Sequence, residues 1–423
     1  MEESSSPVLL EHLFRIQAGR TVSWLTGLLG SQHLQLAEDA VQESMLRAAQ
    51  SWSFDGIPEK PEAWLFRVAH NYAISMLRRG SNFETKMDDL VAAMETRTLQ
   101  IEDVCTEEQL RDDELRMIFM CCHPELPQEA RVALSLKLVS GFSAGEIARI
   151  FLVEESTVAQ RLVRAKRLIR ERDLSLGMPA NGELRDRLDS VLQVIYLMFS
   201  GGYAVPAGEK LIRQDVCIEA LRLARMVAAS SIASPSVDAL VALMALQAAR
   251  LPARTDAACD LVLLEKQDHT LWDNGLIAMG FYYFDKSMIG TAVSEWHIQA
   301  AIAAEYAKAQ TPHAINWRAI LAHYDELVQM NASPIVALNR AVVVMKVHGA
   351  EAALAELLPL EVCSPLHAYH LLPAVRGHIL AELGRFAESE VAFAAALKCE
   401  CSDPERRFLR KQLEAVRERQ CAH

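Results

Sequence analysis

Apolar residues recur at three- and four-residue intervals along almost the whole chain, and strand-like alternation is hard to find. The pattern predicts an all-α protein. It predicts amphipathic helix over 8–50 and 62–79, separated by SFDGIPEKP at 53–61, where Pro58 and Pro61 exclude a continuous helix. Residues 81–110 lose the pattern: Glu84, Asp88, Asp89, Glu95, Glu102, Asp103, Glu107 and Glu108 face only Lys86 and Arg97, which reads as an acidic linker with one weak helix. Helical spacing resumes over 111–172. SLGMPANG at 175–182 holds glycine and proline breakers and marks a domain boundary. From 183 to 423 the chain is Ala/Leu-rich and helical, interrupted irregularly by Pro or Gly, with a helix break expected at Gly201-Gly202-Tyr203.

Within 141–172 the spacing describes two short helices. Ser143 and Glu146 form a capping box, and Ile147, Ile150 and Phe151 make an inward stripe. After a turn at 152–155, Ser156 or Thr157 starts a second helix. Val158, Leu162, Ala165 and Ile169 lie on one face and should pack on the first helix. The other faces carry Gln160, Arg161, Arg164, Lys166, Arg167, Arg170 and Arg172 against one acid, Glu171. Thr157, Gln160, Arg161 and Arg164 can reach base edges in a major groove, while Lys166, Arg167 and Arg170 are better placed for phosphates. Spacing alone also admits a solvated basic face.

Charge changes the picture in one respect. The formal net charge of -12 argues against non-specific coating of DNA, so nucleic-acid contact must be confined to local basic faces. The 423 residues suggest about three domains at ~150 residues each. Nine scattered cysteines in so long a chain read as reduced thiols rather than a disulfide framework. The start, MEESSSP, reads as no secretory signal, and no apolar run reaches the ~18 residues of a membrane helix. A cytoplasmic protein is expected.

Other candidate chemistry is weak. Cys121-Cys122-His123 lacks the spacing of a zinc site, as does Cys399-x-Cys401, and buried thiols are expected instead. Glu265, Asp268 and Asp273 around Trp272 read as helix caps and polar packing, since no nucleophile accompanies them. His367 and His370 share a helix turn without a third ligand. No catalytic residue, metal or cofactor is expected. Near the end, VHGAEAALAEL at 347–357 and ELGRFAESEVAFAAAL at 382–397 place Gly349 and Gly384 at helix–helix turns, close to the ~34-residue period of tetratricopeptide units. Gly377, Phe393 and Ala396 fall near the packing positions of such a repeat.

Two stretches carry a family resemblance. AEDAVQESMLRAAQSW at 37–52, followed by PEAWLFRVAHNYAISMLRR at 61–79, resembles region 2 of bacterial sigma factors. The helix pair above, preceded by RMIFMCCHPELPQEARVALSLKLVSGFS at 116–143, resembles their region 4. The order, with an acidic linker between, is that of the compact extracytoplasmic-function group. MFSGGYAVPAGEKLIRQDVCIEALRLARMV at 198–227, LVLLEKQDHTLWDNGLIAMG at 261–280 and SPIVALNRAVVVMKVHGAEAALAEL at 333–357 are similar to a subgroup with a large, partly tetratricopeptide-like helical extension.

The resemblance implies a transcription initiation factor, not an enzyme, whose partners are core RNA polymerase and promoter DNA. The implied layout is region 2 over 8–80, the linker over 81–110, region 4 over 111–174, a helical extension over 183–310 and tetratricopeptide-like hairpins over 311–423. Asp39, Gln42 and Glu43 would dock on the polymerase clamp, with Ala40, Val41 and Met45 facing the core. Phe54, Lys60, Trp64, Arg67, His70, Asn71, Ser75, Arg78 and Arg79 would capture and hold the melted −10 element. Leu65 and Val68 are expected inward, and Trp64 stays open between core and DNA face. Thr157, Gln160, Arg161, Arg164, Lys166, Arg167 and Arg170 would read the −35 element. The linker would occupy a positive polymerase channel or be a solvated tether. The extension would regulate, through a further protein or an intramolecular contact. The competing reading is a stand-alone helix-turn-helix regulator with a ligand-sensing helical domain.

Overall fold

The computed structural model describes residues 6–80, 107–151, 153–178, 183–204, 211–309, 311–363, 366–367 and 369–421. Among these there is no β-strand, only one isolated bridge between Thr255 and Leu261. The chain folds into two compact units, Met1–Leu197 and Met198–His423. The acidic linker falls mostly outside the described residues.

The first unit opens with α1 (Ser6–Leu29), α2 (Leu34–Asp55) and α3 (Pro61–Gly80), which pack on one another. The single helix expected over 8–50 is two. Gly30 sits at φ 86, a conformation open to glycine, and a short turn at Ser31–His33 redirects the chain. Three hydroxyls are buried on α1. Thr21, Ser23 and Thr26 donate to the carbonyls of Gln17, Gly19 and Val22, so no polar group is left orphaned there.

Next come α4 (Glu107–Cys121), α5 (Gln128–Leu134), α6 (Ala144–Phe151) and α7 (Glu155–Glu171). One π-helical turn, Ser135–Val139, follows α5 and packs on α1. The approach is backbone to side-chain-free backbone: a Cβ on Gly19 would lie 1.8 Å from the carbonyl oxygen of Val139. Only glycine fits at that point of α1.

α8 (Leu184–Tyr203) crosses the boundary between the units, and its first turns are built into the first one. Arg187 donates to the Phe119 carbonyl at 2.7 Å, and Ser190 to the Cys122 carbonyl at 3.0 Å. These acceptors lie at the end of α4, where a helix has carbonyls without intrahelical partners. Arg131 of α5 donates to Ser190 at 2.8 Å and also to the Leu126 and Pro124 carbonyls. The glycines at 201 and 202 do not break α8, which runs to Tyr203; a Cβ on Gly202 would meet Val216 at 2.8 Å.

The second unit contains α9 (Gln214–Ala228), α10 (Pro235–Ala248), α11 (Asn274–Ser287), α12 (Glu295–Lys308), α13 (Trp317–Met330), α14 (Pro334–His348), α15 (Ala350–Glu361), α16 (Leu371–Glu382), α17 (Phe386–Ala396) and α18 (Asp403–Cys421). α10 starts where Ser234 caps the Val237 amide and Pro235 takes the first turn. It is apolar on every face and packs against α9, α11 and α12, as a helix at the centre of a core does. Pro235–Ala253 is, by length and composition, long enough to cross a membrane, contrary to the sequence expectation, but it is mostly buried within its unit. Consecutive helices from α13 to α18 pack on one another. Gly349 (φ 90) and Gly384 (φ 73) occupy the expected turns, and Phe393 packs on Gly377. Asp268 and Asp273 cap short helical segments and Glu265 pairs with Lys346, the structural roles expected of them.

Candidate nucleic-acid interface

The capping box forms as its residues require. Ser143 Oγ accepts from the Glu146 amide at 3.2 Å, and Glu146 accepts from the Ser143 amide at 2.8 Å. This starts α6. Glu154 is the N-cap residue of α7, so the second helix begins one residue before the earliest expected start. Val158, Leu162, Ala165 and Ile169 are all buried, which fixes the rotation of α7. Gln160, Arg164, Arg167 and Arg170 are consequently exposed, and Thr157 and Arg161 are half-buried at its edge. Arg167 pairs with Glu171 on its own helix at 3.5 Å. Lys166 is different: its ammonium lies 2.5 Å from Glu38 and donates to Gln35 Oε1 at 3.2 Å.

A second surface lies on α3 and the loop before it. Phe54, on the last turn of α2 rather than in the loop, is 92% exposed. Lys60, Arg67, Asn71, Ser75, Arg78 and Arg79 are exposed on or just before α3. Trp64 is half-buried and meets Trp52 edge-on at 5.4 Å, over a small core of Ala48, Trp52 and Leu65. Leu65 points inward as expected, while Val68 is only half-buried. His70 departs from the expected face: it is fully buried, with its ring 5.7 Å from Trp24. Its place in the heptad, one turn after the buried Phe66, turns it toward α1.

The third group sits on α2. Asp39 and Gln42 are exposed and Glu43 is half-buried, while Ala40 and Val41 face the core. Met45 packs at the edge of the Trp52 cluster. Asp39 accepts from Gln35 at 2.9 Å, and Glu43 from Arg47 at 2.8 Å.

The chain resembles known proteins along this same layout. Residues 13–83 match the family model for sigma-70 region 2, and 116–169 that for sigma-70 region 4. Residues 187–288 match a family of unknown function (DUF6596). The extracytoplasmic-function sigma-E factor of Haemophilus influenzae is 31% identical over 136 residues, which span 31% of this chain and 71% of that protein. The chain belongs to the extracytoplasmic-function group of sigma-70 factors. The sigma factor SigM of Bacillus subtilis is 25% identical over 162 residues, 38% of this chain and 93% of its own length. An uncharacterized protein of Rhizobium meliloti is 38% identical over 385 residues, 90% of each chain, so the helical extension is shared as well.

As a sigma factor the chain is a non-catalytic initiation factor whose partners are core RNA polymerase and promoter DNA. The remaining candidate chemistry fits that. Burial raises the Cys121 thiol well above its usual range and pushes Cys122 up to about 12, so neither is a ready thiolate. Cys122 lies beside Ser135 at 3.7 Å. Among the described residues no cluster of three His, Cys, Asp or Glu side chains could hold a metal. Sequence reasoning missed Gln35, Glu38 and Arg187. The amphipathic pattern assigns Glu38 and Arg187 to helices, but only the packing of other helices reveals that they are buried.

Proposed function

We propose that the sigma factor uses the exposed face of α7 to read the −35 element and the α3 surface to capture the −10 element. The observation that carries the reading is the division of α7: four apolar side chains are buried, and a glutamine and three arginines stand exposed on the remaining faces. Arg164 and Arg161 suit the bidentate edge of guanine, and Gln160 that of adenine. Thr157 adds a hydroxyl at the helix start. Lys166, Arg167 and Arg170 follow toward the phosphates.

On α3, Arg67, Asn71, Ser75, Arg78 and Arg79 would follow the separated strand, with Lys60 and the exposed ring of Phe54 at the entrance, where an unstacked base could rest on it. Trp64 contributes one ring edge. His70 would act from behind, holding the face against α1. Asp39, Gln42 and Glu43 would engage the polymerase clamp. Residues 8–80 and 111–174 are the two promoter-reading regions, joined by the acidic segment 81–110. The residues beyond α8, with tetratricopeptide-like hairpins toward the end, would regulate the factor in the cytoplasm by contacting a further protein or the sigma regions themselves.

The test is run-off transcription with bacterial core polymerase on promoters upstream of its own gene and neighbouring genes. The full chain should start transcripts that core enzyme alone does not. Tight, specific DNA binding without polymerase, and no transcript with it, would instead identify a stand-alone helix-turn-helix regulator.

A further inference from the structure

We propose that the free sigma factor is closed by its own recognition helix, and that opening is a required step of promoter recognition. The inference rests on the proposed roles of α7 and α2. It starts from Lys166, the one cation of the proposed −35 surface that an acid from outside its own region holds. Its ammonium lies against Glu38, whose side chain is 5% exposed, and also donates to Gln35. Gln35 in turn donates to Asp39, one of the residues proposed to meet polymerase. A short polar chain therefore joins the DNA-reading helix to the polymerase-docking helix.

Two further contacts press the same regions together. Arg20 of α1 lies 3.6 Å from Glu114 of α4, whose side chain is fully buried. Gly19 of α1 meets the backbone of the π turn after α5 so closely that no side chain fits between them. This is an interface with a built steric fit and a charge pair largely out of water, where salt screens little.

Geometry makes the closed arrangement incompatible with reading both promoter elements. Elements centred 25 base pairs apart are separated by roughly 85 Å at ~3.4 Å per base pair. A 20-residue helix such as α3 spans only about 30 Å. With Lys166 in contact with α2, α7 cannot reach one element while α3 holds the other. The Lys166 ammonium also cannot serve a phosphate while Glu38 holds it, and the Glu38 carboxylate would repel that phosphate. Polymerase that takes hold of Asp39 competes with the Gln35 link, so docking and release of α7 become one event.

The test uses the full chain with Glu38→Gln, which keeps the shape of the side chain and lies outside the residues proposed to touch polymerase or DNA. Hydrogen exchange is followed on 34–41 and 160–170 in the free protein, and anisotropy is followed with a duplex carrying the −35 segment of a promoter mapped by run-off transcription. The variant should lose protection in both stretches and bind the duplex at least about fivefold more tightly, the factor that ~1 kcal/mol supplies. Gln35→Ala, at an exposed position that should fold normally, should move both readouts the same way by less. Addition of core polymerase to the unaltered chain should deprotect 160–170. Unchanged exchange and unchanged duplex affinity in both variants would overturn the closed state. Failure of the unaltered chain to transcribe would instead overturn the sigma-surface assignment on which it rests.

Discussion

Arg187→Met isolates the join between the start of α8 and the helices below it. The replacement keeps an unbranched side chain of similar reach at a position that is 7% exposed, so packing is largely retained. What disappears is the charge-assisted hydrogen bond to the Phe119 carbonyl at 2.7 Å. Such a bond contributes about 1.5–3 kcal/mol, and a buried carbonyl left without a partner costs a similar amount. Taking ~2–3 kcal/mol as the net loss, local opening should become roughly 30- to 150-fold more frequent, since ~1.36 kcal/mol is a factor of ten. The assay is hydrogen exchange on the full chain, comparing peptides over 113–122 and 184–195 with peptides over 317–348 in the other unit. The first two should exchange faster and the last should not. Unchanged exchange at 113–122, or equal acceleration everywhere, would refute the idea that Arg187 pins the end of α4.

Arg164→Ala should weaken binding of polymerase-bound factor to the −35 element by about tenfold or more, from the ~1–3 kcal/mol of a bidentate base contact, with transcript yield falling and polymerase affinity unchanged. Phe54→Ala should slow promoter opening, read by permanganate reactivity of the melted strand, by about five- to a hundredfold, the range of ~1–3 kcal/mol for one stacked base, without loosening the closed complex. Gly280→Ala should destabilise the second unit by about 1–3 kcal/mol in urea, because a Cβ there would lie 2.5 Å from Leu246, on the packed face between α10 and α11. Glu405 predicts an acid limit. Burial alone would raise its carboxyl, but hydrogen bonds from His370 and Ser402 outweigh that and hold it below the ordinary value of 4.5. Its contribution is therefore present above that pH and lost as pH falls through the lowered value, and Glu405→Gln should remove this part of the acid sensitivity in a melting series.

The legible parts of this chain were those whose signals are local. The stripe of Val158, Leu162, Ala165 and Ile169 sets the face of α7, and the capping box at Ser143 marks the start of α6; both form as the pattern requires. The glycine turns at 349 and 384 follow from the same local logic. Periodicity failed where a long-range contact decided the outcome. His70 fits a polar face by spacing, yet it fills a gap beside Trp24. Gly30 interrupts an otherwise continuous helical pattern because its neighbours demand a turn. Lys166 reads as one more cation in a basic row, and only the arrival of Glu38 from another region, 128 positions earlier, sets it apart. A domain edge drawn at the Gly/Pro-rich stretch 175–182 likewise passes over the hydrogen bonds that Arg187 and Ser190 send back to α4.

Those two hydrogen bonds also impose an order in time. A growing chain emerges from its N-terminus, so α4 through α7 are complete before Arg187 and Ser190 have been synthesised. Until then the Phe119 and Cys122 carbonyls have only water. A DNA-reading region released early, or cut by a protease in the stretch between α7 and α8, would keep its basic helix but lose the brace beneath it. Cleavage there would not liberate a small constitutive sigma factor from its extension; it would yield a loosened fragment that quality control could recognise before it reached a promoter.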